Sequence, residues 1–336
     1  MLTIWLNFIV CALVILYAGS RLSQYGDIIA EKTGLGRAWI GVVLLASITS
    51  LPELANNISS IVYVNSPDLA LGDLFGSCLF NILILAFLDL IYGPGPILRG
   101  ADQGHILSAG LSMILLGTAA IGIAVSSRLV MPSIFNVGAF SLLIAAIYLI
   151  GQRMIFRFEK RKQAEFLKER TLKYEKVPFR DALLRFTLFA LVVVAAGWWL
   201  AEIGAQISAA TAWSKTFVGS IFLAAATSLP EIVVSAFALR LGAIDMAVGN
   251  LFGSNVFNIF IIFIDDLFYR PGAILASVSQ NHIYTALFAI VLTCIAVVGL
   301  IFRSEKKVFR GLSWDSIAII LVYLMSVYIL FQINGL

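Results

Sequence analysis

A short polar signature occurs twice in this chain, each time inside sequence apolar enough to lie in a bilayer. Thr49-Ser50-Leu51-Pro52-Glu53 is followed by Gly72-Asp73-Leu74-Phe75-Gly76-Ser77-Cys78-Leu79-Phe80-Asn81. Thr227-Ser228-Leu229-Pro230-Glu231 is followed by Gly249-Asn250-Leu251-Phe252-Gly253-Ser254-Asn255-Val256-Phe257-Asn258. The copies are offset by 178 residues from Gly41 and Gly219 to Glu53 and Glu231, and by 177 from Gly72 and Gly249 to Asn81 and Asn258. The second offset persists through Pro94-Gly95 with Pro271-Gly272, Gln103 with Gln280 and His105 with His282. The chain is therefore a duplication, and its fold must accommodate two similar halves.

Residues are 60% hydrophobic and 12% charged, against roughly 25% charged in an ordinary soluble domain. That composition predicts a polytopic membrane protein, all-α, with spans of about 20 residues. Apolar runs between polar or Pro/Gly breaks predict ten of them, near 3–19, 36–64, 68–92, 104–126, 132–152, 181–203, 213–241, 245–269, 280–302 and 314–334. The second and seventh runs are long enough for tilt or an irregular segment. The expected organisation is a five-helix repeat over 1–152, a basic connector over 153–180 and a second five-helix repeat over 181–336. Five is odd, so the second copy crosses the membrane from the opposite side. Such inverted-topology repeats bring their signatures together near the midplane and lend themselves to alternating access.

Lysine and arginine placement sets the expected orientation. Of 23 basic residues, only Arg128, Lys215 and Arg270 fall on one side of the ten-span topology. The other side, with the connector, is therefore cytoplasmic, and both termini are expected outside. Within the connector, Glu159, Lys160, Arg161, Lys162, Glu165, Lys168 and Glu169 permit helical i,i+4 pairing; a solvated linker is preferred over a lipid-headgroup site. The run Ile4–Ala18 has no preceding basic residue or clear cleavage site, so it is expected to be a first span and not a signal peptide. Cys11, Cys78 and Cys294 are scattered in apolar runs and read as packing residues. No basic patch interleaved with aromatics invites nucleic acid; the expected surroundings are a lipid bilayer, with the oligomeric state open.

On a helix, Ala46, Thr49, Ser50, Glu53 and Asn57 share one face, as do Ala224, Thr227, Ser228, Glu231 and Ser235. Pro52 and Pro230 lack the N–H that would bond the carbonyls of Ile48 and Ala226. Irregular backbone in a membrane survives only where protein buries it or a cavity needs it. Ser77 and Asn81, like Ser254 and Asn258, are one turn apart, and Gly76 and Gly253 would allow close helix approach. Carboxylate, hydroxyl, amide and carbonyl oxygens without a thiolate or histidine cluster favour Ca²⁺ or Na⁺ over zinc or copper. A single carboxylate at a helix centre costs about 2.5–3.5 kcal/mol on insertion scales. Two would also repel each other, so Ca²⁺, Na⁺ or protons should always occupy the site, which suits exchange better than free conduction. One serine, threonine or proline alone would be structural; repetition around paired glutamates makes an ion site. His105 and His282 read as retained interfacial residues on opposite faces, in preference to pH sensors.

These paired TSLPE and GS-x-x-x-N motifs resemble those of the cation/calcium antiporter superfamily, which includes the sodium/calcium exchangers and their bacterial and archaeal relatives. The resemblance covers essentially the whole chain. It implies that Glu53 and Glu231 are central carboxylate ligands, with Thr49, Ser50, Ser77, Asn81, Thr227, Ser228, Ser254 and Asn258 beside them. Ala46 and Ala224 would contribute carbonyls. The implied protein is a cofactor-free secondary antiporter, not an enzyme, moving Ca²⁺ against Na⁺ in a prokaryotic plasma (inner) membrane. Two positions depart from the family pattern. Sodium/calcium exchangers commonly end one GS motif in Asp, whereas Asn81 and Asn258 are both amides, leaving sodium count and electrogenicity open. Asp73 stands where Asn is usual, either as an added acid beside the pathway or as a cap on the third span. Proton/calcium exchange, with the glutamates alternately protonated, also stays open. A cation channel fits the inverted repeat less well, and an intramembrane hydrolase lacks a Ser/His or Ser/Lys pair near Ser50.

Overall fold

A computed structural model describes residues 2–33, 46–93, 95–129, 131–134, 136–165, 178–240, 242–309 and 311–334. Backbone polar groups in lipid must be satisfied within their own segment, so the apolar runs become long helices. The first half comprises α1 (Leu2–Thr33), α2 (Ala46–Thr49), α3 (Leu51–Val62), α4 (Pro67–Ile91), the short α5 (Ile97–Gly100), α6 (His105–Ser126) and α7 (Ala139–Glu165). The second comprises α8 (Phe179–Thr211), α9 (Lys215–Val218), a π-helical turn (Gly219–Leu223), α10 (Ala224–Thr227), α11 (Leu229–Arg240), α12 (Ile244–Phe268), α13 (His282–Phe302) and α14 (Trp314–Asn334). Among the described residues eight helices are long and apolar enough to cross a membrane, and Lys215–Thr227 with Leu229–Arg240, bent by 41° at their break, are together apolar enough for a ninth. The predicted span 36–64 survives as α2 and α3; its first part, 36–45, lies outside the described residues. A small antiparallel ribbon, β1 (Ser133–Ile134) with β2 (Val137–Gly138), precedes α7. That helix starts later than predicted and continues to Glu165, so the connector begins as an extension of a membrane helix.

Contacts between the halves come in exchanged pairs, as a twofold axis requires. Asp245, in the first turn of α12, accepts from the Asp102 N–H at 2.7 Å and meets His105 Nε2 at 3.2 Å. Asp68, in the first turn of α4, accepts from the Ser279 N–H at 2.7 Å and meets His282 Nε2 at 3.0 Å. Each histidine thus has a carboxylate partner supplied by the other repeat, which sequence reasoning did not find. Near the other helix ends, Asp89 and Asp266 accept from the Ile97 and Ile274 N–H groups at 2.8 and 2.6 Å. Asp89 also takes hydrogen bonds from Ser313 and Ser316, tying α4 to the start of α14. A carboxylate near a helix C-terminus opposes the helix dipole; Lys307, 3.9 Å away, offsets it.

The signature helices are the innermost ones. Windows of α4 and α12 are 78% buried, against 22% for α1, α8 and α14. The largest apolar cluster gathers residues of α4, α12, α6 and α13, while α1 and α8 belong to two smaller clusters with Val218, Leu223, Ala226 and Ile48. The α1–α8 pair is therefore a layer of its own against the signature helices. Glycine permits a close backbone approach: a Cβ on Gly76 would lie 2.3 Å from the Ser220 carbonyl oxygen and 2.6 Å from its Cα. Here α4 rests backbone to backbone on the π-helical turn.

Candidate cation site

Both signatures break their helices at the serine before Leu-Pro-Glu. Ser50 (φ −87°, ψ 13°) separates α2 from α3, and Ser228 (φ −83°, ψ 7°) separates α10 from α11. The missing proline N–H explains the break, since the preceding turn cannot close normally around it. The next helix then starts with Glu53 or Glu231 in its first turn, where the helix dipole favours negative charge.

The two carboxylates are held crosswise. Ser50 Oγ donates to Glu231 Oε1 and Ser228 Oγ donates to Glu53 Oε1, both at 3.3 Å. Ser254 Oγ donates to the same Glu231 oxygen at 3.3 Å. Thr49 Oγ1 lies 3.3 Å from Ser254 Oγ, and the equivalent Thr227 Oγ1 lies 3.4 Å from Ser77 Oγ. All eight side chains, with Asn81 and Asn258, are fully buried. Among the described residues Glu53 Oε2, Glu231 Oε2, Asn81 Oδ1 and both amide atoms of Asn258 make no hydrogen bond within the protein. Glu53 feels the charges of Glu231 and Asp73. Buried, mutually repelling carboxylates with spare oxygens suit a hard cation. Among the described residues no three His, Cys, Asp or Glu side chains gather into a group that could hold a metal ion.

Asp73 lies well inside α4, not at its start, so it is not a helix cap; it accepts from Asn56 Nδ2 at 2.7 Å and Thr227 Oγ1 at 2.9 Å. Its counterpart Asn250 accepts from Thr49 Oγ1 at 3.3 Å and donates to Ser235 Oγ at 3.2 Å. Ala46 and Ala224 are close by. The Ala46 carbonyl accepts the helical bond from Ser50 N–H at 3.0 Å and lies 3.1 Å from Thr49 Oγ1; that of Ala224 accepts from Ser228 N–H at 3.1 Å and lies 3.3 Å from Thr227 Oγ1.

Three functional-looking residues escaped sequence reasoning. Asn56 pairs with Asp73, and Asn255 pairs with Asn81. Asp265 is fully buried, and among the described residues its carboxylate finds no hydrogen bond. Asp265 was detectable by subtraction, because Leu88 occupies the equivalent place in the first repeat.

The chain matches a family model described as sodium/calcium exchanger protein over residues 3–154 and 182–332. It is 27% identical over 271 residues to the inner membrane protein YrbG of Escherichia coli (strain K12), covering 79% of this chain and 80% of that protein. It is 33% identical over 119 residues to the sodium/calcium exchanger MaX1 of Methanosarcina acetivorans, covering 35% of this chain and 31% of that one. Superposition on the sodium-calcium exchanger NCX_Mj gives a TM-score of 0.63 at 20% identity, over 98% of this chain and 99% of that chain; this is a likeness of fold. The family match takes in both signature copies and nearly every described helix, so this protein belongs to the sodium/calcium exchanger protein family, membrane transporters and not enzymes.

Proposed function

We propose that the chain is a secondary antiporter that carries Ca²⁺ across the membrane in exchange for Na⁺ at the Glu53–Glu231 centre. One observation carries the reading: each glutamate has one oxygen held by the opposite repeat's serine and one without a hydrogen-bond partner among the described residues. A cation at the free oxygens is bound by both halves at once. Empty, the two carboxylates repel in a low-dielectric interior, so leaving without a replacement ion is costly. Exchange follows from that cost. Relatives named as sodium/calcium exchangers support the choice of ions, and the distribution of basic residues supports a cytoplasmic connector with both termini outside.

Helix register supports alternating access. Gly19 and Gly197 are repeat equivalents, yet a Cβ on Gly19 would lie 2.4 Å from Pro230 Cγ, whereas one on Gly197 would lie 2.7 Å from Ala55 Cβ. Ala55 is three residues beyond Pro52, the equivalent of Pro230. Gly26 and Gly204 are also equivalents; their Cβ atoms would meet Ile48 Cδ1 at 2.6 Å and Leu223 Cδ1 at 2.8 Å. Leu223 is three residues short of Ala226, the equivalent of Ile48. Because the two signature helices run in opposite directions, both differences describe one displacement of the α1–α8 pair from the symmetric position. Exchanging the registers moves the pair by three residues of helix rise, about 4.5 Å. Interdigitated packing makes such a shift a step between two arrangements, each open to one side.

The driving ion is tested in proteoliposomes with the pH clamped. An outward sodium gradient is expected to drive ⁴⁵Ca²⁺ uptake, and collapse of that gradient to stop it. Uptake driven only by a pH gradient would refute the sodium reading and favour proton/calcium exchange. Asp265 is the observation that favours this second reading, because a buried carboxylate without hydrogen bonds is most cheaply kept protonated.

A further inference from the structure

We infer that Asn255 is a positioning residue that makes Asn81 a preset cation ligand and leaves its repeat equivalent Asn258 uncommitted. The inference rests on the site reading above. Helices α4 and α12 cross where Cys78 of one repeat meets Asn255, the equivalent residue of the other. Asn255 Nδ2 donates to the Cys78 carbonyl at 3.2 Å, and Asn255 Oδ1 accepts from Asn81 Nδ2 at 2.9 Å. A carbonyl only accepts, so it dictates the direction of the relay. If both amides turned over, Asn255 Oδ1 would face the Cys78 carbonyl, acceptor against acceptor. The order is thus imposed by a backbone group, not by a free choice of amide rotamer. Its terminus is Asn81 Oδ1, buried and without a hydrogen-bond partner among the described residues. An oxygen in that state is what a hard cation takes as a ligand.

The other half cannot build this relay. Cys78 stands where Asn255 would be needed, and its thiol donates to the Asn255 carbonyl only weakly, at 3.8 Å. A thiol is a poor acceptor for an amide N–H, and among the described residues both amide atoms of Asn258 remain unpartnered. Two residues identical in sequence are therefore unequal as ligands. Asn81 offers its oxygen before the ion arrives, whereas Asn258 must be ordered by the ion itself, at a cost in binding.

The test is a double-mutant cycle on purified full-length protein, reading ⁴⁵Ca²⁺ affinity by equilibrium dialysis. Asn255→Cys, which copies the residue of the first repeat, is expected to weaken calcium binding about fivefold, the scale of one ordered hydrogen bond. In an Asn81→Ala background the same change is expected to have almost no further effect. Asn255→Ser is read in the same way if the cysteine variant is not monodisperse. Full additivity with Asn81→Ala, or an unchanged affinity in the single variant, would overturn the relay. Wild-type protein that binds no calcium would instead sink the site reading on which the relay rests.

Discussion

Glu53→Gln is expected to abolish sodium-driven calcium uptake while the protein stays folded, and Glu231→Gln to do the same. Glutamine keeps the shape of the side chain and an oxygen for the opposing serine, at 3.3 Å in each half. What it removes is half of the central negative charge. Losing one partner from a buried ionic cluster costs about 3–5 kcal/mol, which corresponds to a loss of calcium affinity of roughly 10²- to 5 × 10³-fold. Uptake assays report exchange, and size-exclusion chromatography with thermal unfolding reports the fold. Robust exchange in both variants would remove the glutamates from the site. A fall in thermal stability equal to that of an unfolding core mutation would assign them a structural role instead.

The second large effect is on the scaffold. Gly76→Ala is expected to destabilise the protein by about 3 kcal/mol or more, the upper range for forcing one extra methyl into a packed interface. Its Cβ would lie 2.3 Å from the Ser220 carbonyl oxygen and 2.7 Å from the adjoining carbonyl carbon. Backbone cannot rotate away as a flexible side chain would. Gly110→Ala and Gly117→Ala are the controls, because nothing lies within 4 Å of a Cβ at either position. In these, better helix propensity should be neutral or stabilising by up to about 1 kcal/mol. Thermal unfolding in one detergent compares the three directly; equal behaviour would show that α4 does not rest on the π-helical turn. The same contact holds Ser77 beside Thr227, so partial unfolding here should also weaken calcium binding.

Much of this arrangement was legible in the residues. A constant offset between two copies revealed the duplication, and an odd number of spans per copy implied opposed orientation. Paired glutamates next to prolines located the centre. These inferences succeed because apolar period, proline chemistry and charge in lipid act locally and hardly depend on context. Asp73 shows where that reasoning stops: its sequence position allowed either a cap or an added acid. Its place inside α4 removes the cap, and its bond to Thr227, 154 residues away, appears only in the tertiary structure. The histidines' partners were not legible either, because Asp68 and Asp245 reach them only across the repeat boundary.

By itself, the sequence determined a duplicated, membrane-embedded bundle with two carboxylates at its centre. Tertiary structure decided which oxygens remain free to bind a cation. Asn81 and Asn258, alike in sequence, are separated by Asn255 and Cys78 at a crossing of two helices far apart in the chain. The physical reason is that a residue type sets how many hydrogen bonds a group can make, whereas packing across the pseudo-twofold axis sets how many have already been made.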